Sequence, residues 1–221
     1  MASTRTTRLD RKQVIDTALR LLNEVGLEGL TLRAIAAELN VKAPALYWHF
    51  KDKQALLDEM ATEMMRRMGW PSEDQSADWR EVITAAMQGL RAHLLRYRDG
   101  ARVYSGTHFT DTSYAGPMET FLARLTTQGF TPAAAVRGWH TAYSYTIGYL
   151  IEEQAMTGRT FDLTARAERL ADHPLAAQAG EEMFGDYDAG FDRGLRAVVE
   201  GIGATLRAPG APGKGRGEAR A

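Results

Sequence analysis

The chain has no cysteine in its 221 residues, which excludes disulfides and thiolate-held metals and gives no support to an oxidising compartment. The opening stretch MASTRTTRLDRKQ lacks an apolar run, so no signal peptide is expected. The longest apolar-looking segment, TAYSYTIGYLI, is too short and too polar to span a bilayer. Proline is scarce outside the C-terminal tail, and no alternating strand pattern, internal repeat or glycine-rich nucleotide loop is present. These absences point to a cytoplasmic protein with no membrane partner and no cofactor. Hydrophobic content of 44% and charge content of 25% are ordinary for a globular chain that can bury a real core.

What is present begins with an uneven charge distribution. Residues 1–53 carry nine Lys/Arg against six Asp/Glu, residues 207–221 four against one, and residues 54–206 fourteen against twenty-one. A modestly basic N-terminal region on an acidic body fits a polyanion partner, and equally fits a solvated charged surface.

The periodicity is helical throughout. Asp10 with Gln13 resembles a capping box, Val14, Ile15, Ala18, Leu21 and Leu22 repeat at helical spacing, and Gly26 ends that helix. Thr31 caps a short second helix through Leu39, and Asn40 suits a tight turn. Pro44 opens a third helix ending near Phe50, and Asp52 caps a long fourth one through Met65. A break at 69–78 follows. Further helices are expected at 79–97, 117–128, 132–157 and 187–206, with a loop or short helix at 98–117. Residues 158–173 show no clear pattern, and the Pro/Gly/Arg-rich tail is expected to be disordered.

Two short helices joined by a tight turn, with a longer helix before them, make a helix-turn-helix unit. Lys42, Ala43 and Ala45 start the second short helix. Such small or basic side chains let a helix sit deep in a major groove and meet thymine methyls. Four rings follow in a row. Trp48 and Phe50, with Leu46, can turn inward or against neighbours, while Tyr47 and His49 can hydrogen-bond phosphate oxygens beside Lys51 and Lys53. A packed helix end is the plainer alternative for the same rings.

The stretch GLEGLTLRAIAAELNVKAPALYWHFKDKQALLDEM resembles the DNA-binding signature of the tetracycline-repressor (TetR) family of transcriptional regulators. The likeness continues in WREVITAAMQGLRAHLLRYRDGARVYSGT, QGFT and YTIGYLIEEQ, which are similar to the ligand-binding domain of the tetracycline-repressor subfamily. The resemblance implies an all-α homodimer with an N-terminal helix-turn-helix domain over residues 1–53. A helical effector-binding and dimerisation domain over 54–206 would follow, with a disordered tail at 207–221. Such a protein binds a palindromic double-stranded DNA operator and lets go when a small molecule enters the C-terminal core. By position, Thr31 and Arg33 match DNA contacts from the second helix. Lys42, Ala43 and Ala45 match base-reading positions, and Tyr47, His49 and Lys53 match phosphate contacts. Tetracycline repressors carry polar or acidic groups where Lys42, Ala43 and Ala45 stand, which implies a different operator.

The effector positions depart further. Tetracycline repressors hold a magnesium chelate of the drug with histidine, asparagine, glutamine and glutamate. The matching positions here are Gly69, Ala86, Tyr104, Phe121 and Ser144. Only Thr107 and Glu152 keep the family's residue, and His108 replaces an arginine. With the imidazole gone, magnesium loses its anchor, and no metal is expected. Aromatic and apolar groups stand there instead: Tyr104, Phe109, Phe121, Trp139, Tyr143 and Tyr145, with Met87, Leu90 and Met118. A few polar groups, Thr107, His108, His140, Ser144 and Glu152, could orient a ligand among them. An apolar, aromatic or polycyclic effector is therefore expected, although any single ring could be ordinary core.

His108 and Glu152 could form an acid–base pair, but no nucleophile elbow, metal spacing or phosphate loop accompanies them, and no enzyme is expected. An effector-independent DNA-binding regulator and a pathway-specific activator stand as alternatives to the repressor. For the dimer, the resemblance points to the helix at 132–157 and the last helix. Gly138, Ala142 and Gly148 on the first, and Gly190, Gly194, Ala197, Val198, Gly201 and Ile202 on the second, would permit close approach of a second copy or of the chain's own core.

Overall fold

The structure, a computed structural model, describes residues 9–69, 77–157 and 162–207. Among these residues all regular structure is helical, and no helix is long and apolar enough to cross a membrane. The break expected at 69–78 lies largely, and the tail expected at 207–221 almost entirely, outside the described residues. The chain forms two compact units, residues 1–69 with 92–114, and residues 70–91 with 115–221.

The first unit is built on α1 (Arg11–Gly29), α2 (Leu32–Glu38), α3 (Pro44–Tyr47) and α4 (Lys53–Arg67). Each start uses the side chain the sequence offers: Asp10 accepts from the Lys12 amide, Thr31 from Ala34 and Asp52 from Ala55. Gly26 interrupts α1 with φ of 70° and ψ of 176°, a conformation open only to glycine, and a last turn closes through the Leu30 amide on the Gly26 carbonyl. Asn40 takes φ of 53° in the turn after α2. α3 is one turn long and ends before Phe50, but the His49 and Phe50 amides still bond the Leu46 carbonyl at 2.9 Å.

Compact packing continues past residue 53. The face of α4 carrying Leu56, Met60 and Met64 is fully buried and packs on α1 and on α6 (Gly100–Tyr104). The segment between α5 (Trp79–Leu94) and α6 grips the end of α1. Asp99 accepts from the Leu27 amide at 2.9 Å, Asn23 accepts from the Arg98 amide at 2.7 Å, and Arg98 donates to the Glu24 carbonyl at 3.1 Å.

The second unit holds the first residues of α5, then α7 (Ala115–Thr127), α8 (Pro132–Met156), α9 (Leu163–Arg169), α10 (Pro174–Phe184) and α11 (Tyr187–Leu206). Asp78 and Glu81 form a capping pair at the start of α5: Asp78 accepts from the Arg80 amide, and Glu81 accepts from the Asp78 amide. α8 and α11 pack along their length. The small residues at this contact serve the chain's own core. A Cβ on Gly138 would meet Ile202, and one on Gly190 or Gly194 would collide with the hydroxyls of Tyr149 and Tyr145. Those hydroxyls donate to the α11 backbone, Tyr145 to the Phe191 carbonyl at 3.0 Å and Tyr149 to the Tyr187 carbonyl at 2.9 Å. Tyr145 therefore belongs to helix packing rather than to a ligand wall, and burial pushes its phenol up to about 12. Ala197 and Gly201, and Gly148 on α8, stay exposed.

α9 and α10 were not legible as helices. α9 buries no residue and α10 buries only Gly180, so neither carries an apolar stripe.

Candidate functional site

The helix-turn-helix lies wholly in the first unit. Leu46 and Phe50, four residues apart, point into the core and are 0% and 1% exposed. Tyr47 and Trp48 therefore point out, at 56% and 91% exposure. Of the three side chains that could turn inward or against neighbours, Trp48 does not turn inward. A one-turn helix can bury only one face, and Leu46 with Phe50 fills it. That spacing was the signal available in the sequence for an outward Trp48.

Thr31, Arg33, Lys42 and Lys53 are exposed, and Ala43, Ala45 and His49 are half-buried. Thr31 uses its oxygen as acceptor for the Ala34 amide at 3.0 Å, which leaves its proton to donate outward. The Lys53 ammonium donates to the Leu27 carbonyl at 3.0 Å, and two further protons remain for an anion. The outer surface of α2 and α3 thus combines cations, hydroxyl donors and two exposed aromatic rings.

A residue that motif reading missed supports this surface from behind. Arg11 donates to the His49 carbonyl at 3.3 Å, lies 4.8 Å over the Phe50 ring and pairs with Glu59 at 2.8 Å. Its role depends on three partners distant in sequence.

The residues considered for an effector fall into both units. In the first, Tyr104 is buried edge-on against Phe109, with ring centroids 5.6 Å apart, and Phe109 leans on Tyr114 at 5.3 Å. Thr107 donates to the Tyr104 carbonyl, and His108 is exposed, with its amide on Asp58. In the second, Met87 and Leu90 on α5 and Phe121 on α7 are buried, and Met118 is half-buried. Trp139 and Tyr143 are half-buried and stacked, with centroids 5.1 Å apart and an interplanar angle of 15°. Desolvation raises the Tyr143 phenol above its ordinary value, so it stays a neutral donor. His140, Ser144 and Glu152 are exposed on α8. Among the described residues no three His, Asp or Glu side chains stand together in a way that could hold a metal ion.

Known proteins frame these sites. Residues 14–60 match the profile of bacterial regulatory proteins of the tetR family, and residues 70–206 match that of the tetracyclin repressor-like C-terminal domain. The class A tetracycline repressor from transposon 1721 of Escherichia coli is 38% identical over 202 residues, covering 89% of this chain and 91% of that protein. A solved structure of a possible TetR family transcriptional regulator from Streptomyces coelicolor A3(2) aligns with TM-score 0.78 and 35% identity, over 88% of this chain and 99% of that one. The class A repressor solved with 5a,6-anhydrotetracycline and magnesium aligns with TM-score 0.67 and 36% identity, over 90% and 100%. Matched in both of its domains and along most of its length, the chain belongs to the TetR family of bacterial regulatory proteins.

Proposed function

We propose that this protein is a ligand-responsive transcriptional repressor that works in the cytoplasm. It binds a two-fold symmetric operator as a homodimer and is released by a small aromatic molecule. The observation that carries the DNA-binding half is the outward pair Tyr47 and Trp48, flanked by His49, Lys51 and Lys53. Exposing two large rings on a one-turn helix wastes apolar burial unless a partner covers them. In this reading Lys42, Ala43 and Ala45 face base edges, while Thr31, Arg33, Tyr47, His49 and Lys53 hold phosphates. The exposed small residues Gly148, Ala197 and Gly201 mark the α8–α11 surface on which a second copy would pack.

For the effector, we propose the stacked pair Trp139 and Tyr143, with Met87, Leu90, Met118 and Phe121, as the apolar wall. Flat conjugated molecules suit such a wall, since offset stacking adds about 0.5–1.5 kcal/mol per ring pair beyond area burial. A magnesium-chelated drug does not suit this donor set. The imidazole and amide positions of the subfamily are filled by Tyr104, Ser144, Gly69, Ala86 and Phe121, and each lost charged contact costs about 1.5–3 kcal/mol. The effector drives release only by the difference between its affinities for the free and the DNA-bound shapes.

The test uses fluorescence anisotropy of a labelled operator bound by the full chain. Flat polycyclic aromatics are expected to release it without any need for magnesium. Release by sub-micromolar tetracycline that requires magnesium would contradict the effector assignment.

A further inference from the structure

Glu59 is a carboxylate on the inward face of α4, 9% exposed. A buried charge needs partners on both oxygens, and Glu59 has three. Oε2 accepts from the Arg11 guanidinium at 2.8 Å and from the Thr110 hydroxyl at 3.0 Å, and Oε1 accepts from Arg66 at 3.4 Å. The Thr110 amide and hydroxyl also bond the fully buried Thr62 hydroxyl, at 2.9 and 3.2 Å, and Arg66 reaches on to Asp111. The loop after α6 is therefore fastened to one carboxylate on α4.

From that carboxylate the connection runs on to the DNA-facing surface. Arg11 spends one terminal nitrogen on Glu59 and the other on the His49 carbonyl, and its plane lies over Phe50. α3 has only four residues, too few to fix its own direction. Its C-terminal end is held by the buried Phe50 ring and by this guanidinium.

We propose that Arg11 and Glu59 are positioning residues for operator recognition, which link the Thr110 loop to the end of α3. The proposal rests on the operator-binding reading for its functional consequence and on the geometry of the first unit alone for the link. A planar fork with separate nitrogens can serve Glu59 and His49 together, whereas a lysine ammonium at this position can keep the ion pair but not both contacts.

The test uses the full chain with 5-fluorotryptophan incorporated and the Trp48 resonance assigned by Trp48→Phe. Binding is measured to the preferred operator and to an unrelated duplex for Arg11→Lys, Glu59→Gln and the double variant, with thermal midpoints recorded in parallel. Arg11→Lys and Glu59→Gln are each expected to lower operator affinity about tenfold. Affinity for the unrelated duplex should fall clearly less, because the phosphate contacts of Thr31, Arg33 and Lys53 lie outside α3 and carry no base information. The double variant should lose no more than the worse single one. Thr110→Val is expected to shift the Trp48 fluorine resonance in DNA-free protein.

Equal losses for both duplexes, losses that track the unfolded fraction, or wild-type affinity in folded variants would each overturn the positioning role. A Trp48 resonance unmoved by Thr110→Val would overturn the link. If the wild-type chain prefers no duplex over another, the regulator reading and the positioning role fall together, and the fluorine measurement still decides the link because it needs no DNA.

Discussion

Arg91 on α5 holds Glu153 on α8 through two parallel hydrogen bonds, Nε to Oε2 at 3.0 Å and Nη2 to Oε1 at 2.6 Å. Both side chains are nearly buried, at 11% and 12% exposure. The remaining nitrogen pairs with Asp188 of α11 at 2.7 Å, and the guanidinium lies 5.1 Å over Phe191. One side chain thus ties three helices. Breaking a buried pair by removing one partner typically costs about 3–5 kcal/mol. Glu153→Gln should fall at or below the lower limit, because Asp188 remains. Urea unfolding should show Arg91→Met with Glu153→Leu to be more stable than either single variant. Additive losses would mean that the two residues do not act as a pair.

The α8–α11 contact makes a second stability prediction. Gly194→Ala places a methyl where the Tyr145 hydroxyl sits, and overpacking of this kind costs about 1–3 kcal/mol. Tyr145→Phe alone removes one hydrogen bond, worth about 1 kcal/mol. Combined with Tyr145→Phe, Gly194→Ala should cost clearly less in a thermal melt than it does alone. An unchanged cost would place the strain on the Tyr145 ring carbons, 2.7 and 3.0 Å from the added methyl, rather than on the hydroxyl.

These two contacts also mark what the sequence could and could not disclose. Caps such as Thr31, Asp52 and the Asp78–Glu81 pair are local chemistry, and each stands where its residues put it. The glycines of α11 were visible as small residues at helical spacing, but not their partners. Whether a gap admits a second chain or the chain's own tyrosines depends on a helix some forty residues away. Trp48 could have been placed by counting from Leu46 to Phe50. The junction at Glu59 joins residues 11, 59, 66 and 110, and no local pattern announces it.

A pH prediction concerns His93. It is buried beside Tyr97, with ring centroids 5.5 Å apart, and Nε2 has no hydrogen-bond partner among the described residues. Desolvation holds its pKa below the ordinary value, Arg96 and Arg67 add to the effect, and a hydrogen bond with the Met64 backbone opposes it. The unfolded chain then takes up a proton that the folded chain refuses. Stability is complete above the unfolded pKa near 6.5 and declines as pH falls through it. Between pH 7.5 and 5.5 the thermal midpoint should fall more for wild type than for His93→Phe, and parallel curves would contradict this.

On the DNA side, Lys53→Ala should weaken binding to every duplex alike and lower the slope of log affinity against log salt by about one unit. Tyr47→Phe should weaken binding without changing the slope, since its hydroxyl carries no charge. A gel-shift titration at several salt concentrations reads both. An unchanged slope for Lys53→Ala would assign that ammonium to the Leu27 carbonyl alone.

Trp139→Ala should raise the concentration of inducer needed for release and leave operator affinity nearly intact. Its ring stacks on Tyr143 and is only half-buried, so the fold should survive. A variant that unfolded, or that lost DNA binding with induction unchanged, would make Trp139 a core residue.

The most direct measurement is selection by the full chain from a pool of random DNA duplexes, followed by affinity titration of the enriched sequence. The account requires one two-fold symmetric sequence to be enriched and bound at two equivalent half-sites about one helical turn apart. Substituting Ala43 or Ala45 with a bulky side chain should change which sequence is selected. Enrichment of no sequence, or binding that is the same for every duplex at every salt concentration, would contradict it.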